Sequence, residues 1–310
     1  MADPAIFDPR ATTIPVLRYL VALADHGHFG RAAAAAGVAQ STLSTVVADW
    51  EQRMRCPVFT RDRRGVHPTP AGERIIAAAR NALAALAEVE AVAGSAKPPF
   101  FGPVRLGVIP TVGPYALPFV TSALAEAFPG LELPLREATT AELLAALEGG
   151  RLDIALLALL PGMEARWAVA PLYHEPFLAA LPARHPLAGE AEVQPEALLT
   201  SGLLLLDEGH CLREQAMSLC RARPGAGTGA DFRATSLETL RQIVAAGGGT
   251  TLLPALAVGE PDPRLAVRPL AGGPGRDIAL IWRRNDPRAA AYQQLAGPIR
   301  KRLPAAVRRA

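Results

Sequence analysis

The sequence lacks any long uninterrupted apolar run. Its apolar stretches, such as IALLALL at 154–160 and GLLLL from position 202, are far shorter than the roughly 20 residues that a membrane-spanning helix needs. The first ten residues, MADPAIFDPR, contain two aspartates and no apolar segment typical of a secretory signal. We therefore expect no membrane partner and a cytoplasmic location.

Cysteine is also scarce, because the 310 residues hold only Cys56, Cys211 and Cys220. Three cysteines at such uneven spacing exclude the disulfide framework of a small secreted protein, so any thiol chemistry must be local. Cys56 is expected to be a small structural side chain. Half of the residues are hydrophobic, which is enough for ordinary cores, and the length predicts two or three domains.

The net charge of +3 is small, but the positive charge is concentrated in one segment. Residues 53–64 contain five arginines and a single acidic residue, Asp62. Such a cluster indicates an anionic partner, although a solvated charged surface is the simpler alternative. The segments before and after this arginine cluster decide between an anionic partner and a solvated surface.

The first part of the chain has the pattern of a helix-turn-helix. Residues 14–24 carry apolar residues at helical spacing, an alanine-rich helix ends at Gly37, and a third helix follows at 40–54. Short polar side chains at the start of that third helix are suited to contacting base edges and phosphates in a major groove. They are Gln40, Ser41, Thr42 and Ser44.

A basic hairpin and a long helix follow. A strand at 58–61 and a return strand flank the turn at Arg63, Arg64 and Gly65, so the hairpin resembles a wing, with Arg61 on its first strand. Thr69 and Pro70 then form a good N-cap and first-turn pair for a long helix. Its apolar seam predicts a dimerisation and linker helix, with additional core packing as the alternative.

The remainder of the chain is predicted to be α/β. The proline-rich segment GSAKPPFFGP at 94–103 marks a boundary. After it, strands at 104–109, 131–137 and 152–159 alternate with helices, which implies a parallel sheet. Thr111 and Thr140 follow the first two strands, where open α/β sheets place their ligand crevice, although Thr140 could simply cap a helix.

The segment EGHCLREQAMSLC at 208–220 contains two of the three cysteines. It reads as a helix, so Cys211 lies near a helix N-terminus, where a thiolate is favoured. His210 directly precedes Cys211, and Gln215 lies about one helical turn after it. Both side chains can therefore face the Cys211 thiol. Nine helical steps would separate Cys211 from Cys220 by about 13 Å along the axis, on opposite faces.

In this order, the parts resemble a LysR-type transcriptional regulator over nearly the whole chain. Within that family, four segments of the chain resemble the corresponding segments of members that sense hydrogen peroxide. They are IPTVGPY at 109–115, GHCLREQAM at 209–217, FRATSLETLR at 232–241 and TLLPALAV at 251–258.

This resemblance implies a winged helix-turn-helix at 1–68, a linker helix at 69–97 and a two-lobed α/β, periplasmic-binding-protein-like regulatory domain at 98–310. Lobe I would comprise 103–171 and 277–305, and lobe II 172–276. The implied partners are double-stranded DNA, hydrogen peroxide and further copies of the chain, as a dimer of dimers. No enzymatic activity, cofactor or metal is implied.

The resemblance also implies roles for individual residues. Cys211 would be oxidised by peroxide and then form an intramolecular disulfide with Cys220. The remaining expected peroxide-site residues are Thr111, Thr140, His210, Gln215 and Arg283. The family often has Ser-Gln-Pro where this chain has Ala39-Gln40-Ser41, so we expect Ser41 or Thr42 to cap the helix and its start to shift.

Three alternatives remain at this point. A LysR-type regulator that binds a small organic effector between its lobes would make the cysteines incidental. A thiol peroxidase would share a reactive cysteine but would have no use for a basic winged module. A metal site is weaker still, because two cysteines nine positions apart and one histidine lack the usual ligand spacing.

Overall fold

The computed structural model describes residues 11–62, 65–93, 100, 102–220 and 234–310. The chain divides into two compact units near residue 101. The first consists mostly of the helices and hairpin before that point, and the second mostly of the strands and helices after it.

Three short helices form the start of the first unit: α1 (Ile14–His26), α2 (Phe29–Ala36) and α3 (Gln40–Met54). Gly27 and Gly37 end the first two in the left-handed conformation, which glycine adopts without steric cost. The helices share a buried cluster that includes Leu20, Leu43 and Trp50. The predicted helix-turn-helix is confirmed.

The expected cap of α3 is wrong. The helix begins at Gln40, and Ala39 occupies the N-cap position without a side-chain hydrogen bond. Ser41 and Thr42 lie inside the helix, because the chain is already helical at Gln40 and their hydroxyls are past the point where a cap accepts.

The hairpin has strands β1 (Phe59–Asp62) and β2 (Gly65–Pro68), paired antiparallel. The first strand starts one residue later than predicted, because the N–H groups of Val58 and Phe59 both donate to Glu51 Oε1. The predicted turn residues Arg63 and Arg64 lie outside the described residues. Helix α4 (Pro70–Ala93) follows, and Thr69 caps it by accepting from Gly72 N at 2.9 Å, as predicted.

The second unit opens with an alternation of strands and helices. It runs through β3 (Leu106–Val108), α5 (Gly113–Ala127), β4 (Leu135–Glu137), α6 (Thr140–Glu148), β5 (Ile154–Ala158) and α7 (Met163–Arg166). Strand β3 pairs parallel with β4 and with β5, as predicted. Strand β9 (Gly275–Arg283), which comes later in the chain, pairs antiparallel with β5 and with β6 (Trp167–Pro182). The sheet is therefore mixed.

The later elements complete this sheet and build a second one. They are β6 (Trp167–Pro182), a 3-10 helix (Pro186–Gly189), α8 (Pro195–Thr200), α9 (Cys211–Leu219), α10 (Leu237–Ala245), β7 (Thr251–Pro254), a second 3-10 helix (Ala255–Ala257), β8 (Leu265–Pro269), β9 (Gly275–Arg283), α11 (Ala289–Arg302) and β10 (Arg308–Arg309). The first sheet has the strand order β10-β6-β9-β5-β3-β4.

Strand β6 belongs to both sheets. Up to Pro176 it pairs with β9, and from Phe177 it pairs with β7 and β8. The lobe boundary predicted at residue 171 lies inside this strand. A separate apolar cluster surrounds the second sheet and includes residues of α8, α9 and α10. The two-lobed α/β architecture is confirmed.

No helix within the described part of the chain is long and apolar enough to cross a membrane. The same residues hold no group of three or more His, Cys, Asp or Glu side chains placed to bind a metal ion.

Candidate functional site

Helix α9 carries a cysteine at each end. Cys211 is its first residue, His210 occupies the N-cap position in an extended conformation, and Cys220 is the C-cap. Both thiols are free and buried. Because nine helical steps span about 13 Å, and a disulfide needs Cα atoms within about 7 Å, the two cannot bond in this conformation. The helix predicted for this segment is confirmed, and the separation follows from it.

Cys220 is part of the apolar core of the second sheet, with an exposed fraction of 1%. Burial, with a smaller contribution from the nearby Glu196 carboxylate, raises the pKa of its thiol to about 11. Cys220 is therefore a protonated core side chain while α9 is intact.

Arg213, in the first turn of α9, contacts the segment that precedes the helix. Its Nη1 donates to the Leu206 carbonyl at 2.8 Å, so the guanidinium joins α9 to the backbone at Leu206. Leu203 and Leu206 form isolated parallel bridges to Thr250 and Ala234.

Thr111 lies between β3 and α5 and is almost fully buried. Arg276, at the start of β9, donates through Nη1 to the Thr111 hydroxyl at 2.9 Å and through Nη2 to its carbonyl at 2.8 Å. Glu175 on β6 pairs with the same guanidinium at 2.9 Å. Both side chains of this ion pair are buried.

The expected role of Arg283 in this site is not supported by its position. It lies at the far end of β9, opposite Trp167 in the sheet register. It lies seven positions after Arg276, roughly 23 Å along the strand, and an odd spacing places the two side chains on opposite faces. The arginine that reaches Thr111 is Arg276, which the sequence reasoning missed.

Two other expected site residues have buried polar atoms without a hydrogen-bond partner in the described structure. They are Thr140 Oγ1 and Gln215 Oε1. Thr140 is not the helix cap, because Thr139 forms a capping box with Glu142 just before α6. Buried polar atoms are normally satisfied, so both are candidates to contact a small polar ligand.

The loop before α9 lies against the carboxyl end of β4. A Cβ added to Gly209 would be 3.6 Å from Thr139 Cγ2. Burial lowers the pKa of His210, while the carboxylates of Asp207 and Glu137 oppose that shift. Glu137 also lies against Gly113, at the start of α5. The end of β4 is thus next to the loop that leads to His210, and the grouping of Thr111, Thr140, His210 and Cys211 in one site stays a prediction.

In the first unit, the polar start of α3 faces outward. Gln40, Ser41 and Thr42 are exposed, and Ser44 is half-buried. Arg61 on the hairpin stacks over the Phe29 ring, with its Cζ 4.3 Å from the centroid. This cation–π contact joins Arg61 to the first residue of α2, and the Arg61 side chain remains exposed.

Two family models match the chain. Residues 15–73 match "Bacterial regulatory helix-turn-helix protein, lysR family", and residues 99–304 match "LysR substrate binding domain".

Full-length relatives share the same organisation. The chain is 43% identical over 290 residues to the "DNA-binding transcriptional dual regulator OxyR" of Escherichia coli K12, covering 93% of this chain and 94% of that protein. A full-length OxyR variant from Pseudomonas aeruginosa matches with a TM-score of 0.82 and 37% identity, over 93% of this chain and 97% of that one.

A further solved structure is a Corynebacterium glutamicum OxyR mutant described as H2O2-bound. It matches with a TM-score of 0.63 and 35% identity, over 95% of this chain and 92% of that one. Matches of this extent, together with both family models, show that the chain belongs to the LysR family of bacterial helix-turn-helix regulators.

Proposed function

We propose that this LysR-family protein is a DNA-binding transcriptional regulator that senses hydrogen peroxide through Cys211. The observation that carries the proposal is the placement of two free, buried thiols at opposite ends of α9, beside a cluster of buried polar groups. The likeness to a relative whose structure is described as H2O2-bound supports the choice of oxidant.

The first chemical step is a two-electron oxidation of Cys211. Its thiolate sulfur attacks one peroxide oxygen, the S–O bond forms, the O–O bond breaks, and hydroxide leaves. The sulfur becomes a sulfenic acid and the peroxide is reduced. Backbone N–H groups at the start of α9 favour the negative charge of the attacking thiolate.

The polar residues around Cys211 would hold the peroxide and the leaving hydroxide. The hydroxyls of Thr111 and Thr140 and the amide oxygen of Gln215 are small polar groups of the kind that a peroxide molecule can contact. Arg276 supplies positive charge next to Thr111, where it would stabilise the developing hydroxide. We assign this role to Arg276 in place of Arg283.

In the second step, the Cys220 thiol attacks the sulfenic acid, the S–S bond forms, and water leaves. Because the two cysteines are about 13 Å apart along the intact helix, α9 has to unwind first. Unwinding removes Cys220 from the core and displaces the elements packed against α9. This local refolding is the change that would alter how subunits present their DNA-binding units.

Towards DNA, α3 would enter the major groove with Gln40, Ser41, Thr42 and Ser44, while Arg61, Arg63 and Arg64 contact phosphates or the minor groove. The winged module would span residues 1–68, the linker helix 69–97 and the regulatory domain 98–310. The assembly would be a dimer of dimers, which light scattering of the purified protein can test.

Peptide mass spectrometry after addition of one equivalent of hydrogen peroxide tests the proposal directly. We expect a peptide pair linked through Cys211 and Cys220, with Cys56 still reduced as an internal control. Cys211→Ser should abolish the link and the peroxide-dependent change in DNA binding, yet retain folding and basal binding. If the wild-type protein stays fully reduced, the proposal is wrong, and the cysteines would be incidental to an organic-effector regulator.

A further inference from the structure

The carboxylate of Glu175 is the least exposed acidic group next to the candidate site. Its residue is 1% exposed, as is the side chain of its partner Arg276. We propose that Glu175 is a positioning residue for the peroxide reaction, and that it acts by fixing the orientation of Arg276 against Thr111. This inference rests on the peroxide-sensing function proposed above.

Glu175 restricts Arg276 through two N–H groups on one edge of the guanidinium. Nε donates to Glu175 Oε2 at 3.0 Å, and Nη2 lies 2.9 Å from the same oxygen. The other edge is thereby directed to the hydroxyl and carbonyl of Thr111. A guanidinium has five N–H donors, and these four contacts leave one N–H of Nη1 uncommitted among the described residues.

The arrangement also fixes the direction of the Thr111 hydroxyl. That oxygen accepts from Arg276 Nη1, so its own proton is directed away from the arginine. The Thr111 O–H and the remaining N–H of Nη1 are adjacent donors. Such a pair can hold the peroxide oxygen that leaves as hydroxide, where negative charge develops.

Glu175 is itself held from a different part of the chain. Its second oxygen, Oε1, accepts from Leu256 N at 2.9 Å. Leu256 belongs to the 3-10 helix Ala255–Ala257 in the TLLPALAV segment, directly after β7. This contact gives a function to a segment that the peroxide chemistry alone leaves unexplained. Glu175 therefore connects the second sheet to the arginine of the site.

The decisive experiment compares Glu175→Gln with Tyr173→Phe in the full-length protein. Tyr173 is a matched control, because it lies two residues earlier on the same face of β6 and its buried hydroxyl has no hydrogen-bond partner in the described structure. Glutamine keeps the acceptor for Leu256 but loses the charge that holds Arg276. We measure the rate constants of Cys211 with hydrogen peroxide and with iodoacetamide, a neutral alkylating reagent that needs no donors for a leaving oxygen.

We expect Glu175→Gln to slow peroxide oxidation by roughly tenfold to a hundredfold, which is the typical cost of a misplaced catalytic group. Alkylation should change much less, and Tyr173→Phe should leave both rates unchanged. In an Arg276→Gln background, Glu175→Gln should have little further effect, because Glu175 acts through the arginine. An equal loss in both reactions, or additive losses in the double variant, would overturn the inference.

Glu175→Asp provides a second route if the glutamine variant does not fold. Aspartate keeps the charge but is one methylene shorter, so it cannot hold Arg276 and Leu256 at once, and peroxide oxidation should still slow selectively. If wild-type Cys211 does not react with peroxide at all, the proposed function fails. If wild type reacts and the Glu175 variants react equally fast, only the role of Glu175 is wrong.

Discussion

Arg276 donates to both the hydroxyl and the backbone carbonyl of Thr111, a residue 165 positions earlier in the chain. This contact joins the start of β9 to the end of β3. Of the two arginines on β9, Arg276 and Arg283, it is therefore Arg276 that we assign to the candidate site. Substituting each arginine in turn can distinguish their roles.

Arg276→Ala should slow oxidation of Cys211 by hydrogen peroxide by more than tenfold, since it removes a charge that stabilises the leaving hydroxide. Arg283→Ala should leave the rate nearly unchanged, because that side chain lies at the other end and on the opposite face of β9. Stopped-flow measurement of thiol loss distinguishes them. A larger effect at Arg283 would restore the assignment made from the sequence.

Thr140 and Thr139 should respond differently to the same substitution. Thr140→Val removes a buried hydroxyl that has no partner in the described structure, so the free energy of unfolding should not fall, while peroxide oxidation slows. Thr139→Val removes the capping box with Glu142 and should cost about 1 kcal/mol of stability. Denaturant titrations of both variants would show whether Thr140 is instead structural.

Cys220 should make stability depend on pH in the alkaline range. Burial raises the pKa of its thiol from 9.0 to about 11, so the folded state favours the protonated form. The resulting stabilisation is fully present below pH 9 and is lost as the pH rises through about 11, amounting to roughly 2 to 3 kcal/mol. Cys220→Ala should lack this decline when the free energy of unfolding is measured between these pH values. Parallel pH curves for the two proteins would contradict the buried-thiol description.

Arg55 ends α3 in the left-handed conformation, with φ of 48°. A side chain there is strained by about 1 kcal/mol relative to glycine. Arg55→Gly should therefore raise the free energy of unfolding by about that amount. Arg53→Gly serves as the control, because it places glycine inside the helix and removes the ion pair with Asp49, so it should destabilise.

The hairpin arginines should contribute to DNA affinity through phosphate charge. Changing Arg63 and Arg64 together to alanine should weaken binding at any sequence and reduce the salt slope by about 2. Fluorescence anisotropy at several salt concentrations measures both quantities. Equal slopes for wild type and variant would show that the hairpin does not contact the DNA backbone.

Local features of this fold were predictable because they depend on neighbouring residues. Gly37 ends a helix, and Thr69 with Pro70 starts one, through interactions within a few positions. The positions of Thr111 and Thr140 followed from strand order, since the ends of parallel strands meet at one edge.

The arginine of the site could not be predicted in this way. Both Arg276 and Arg283 lie on an apolar strand, and sequence alone does not show which face or end meets Thr111. The buried partner Glu175, 101 positions away, decides it through the ion pair. Alternation along the strand does not separate the two arginines, because Ile278 and Leu280 on the face of Arg276 and Ala279 and Ile281 on the face of Arg283 are all buried.

The burial of Cys220 in the core of the second sheet also has a redox consequence. In the proposed switch, forming the disulfide gives up the folding free energy that α9 and this core side chain contribute to the reduced state. That loss raises the reduction potential of the bond by about 30 mV for every 1.4 kcal/mol. We therefore expect this disulfide to be reduced by thiols more easily than one that forms without loss of packing, so the burial of Cys220 would favour return to the reduced state.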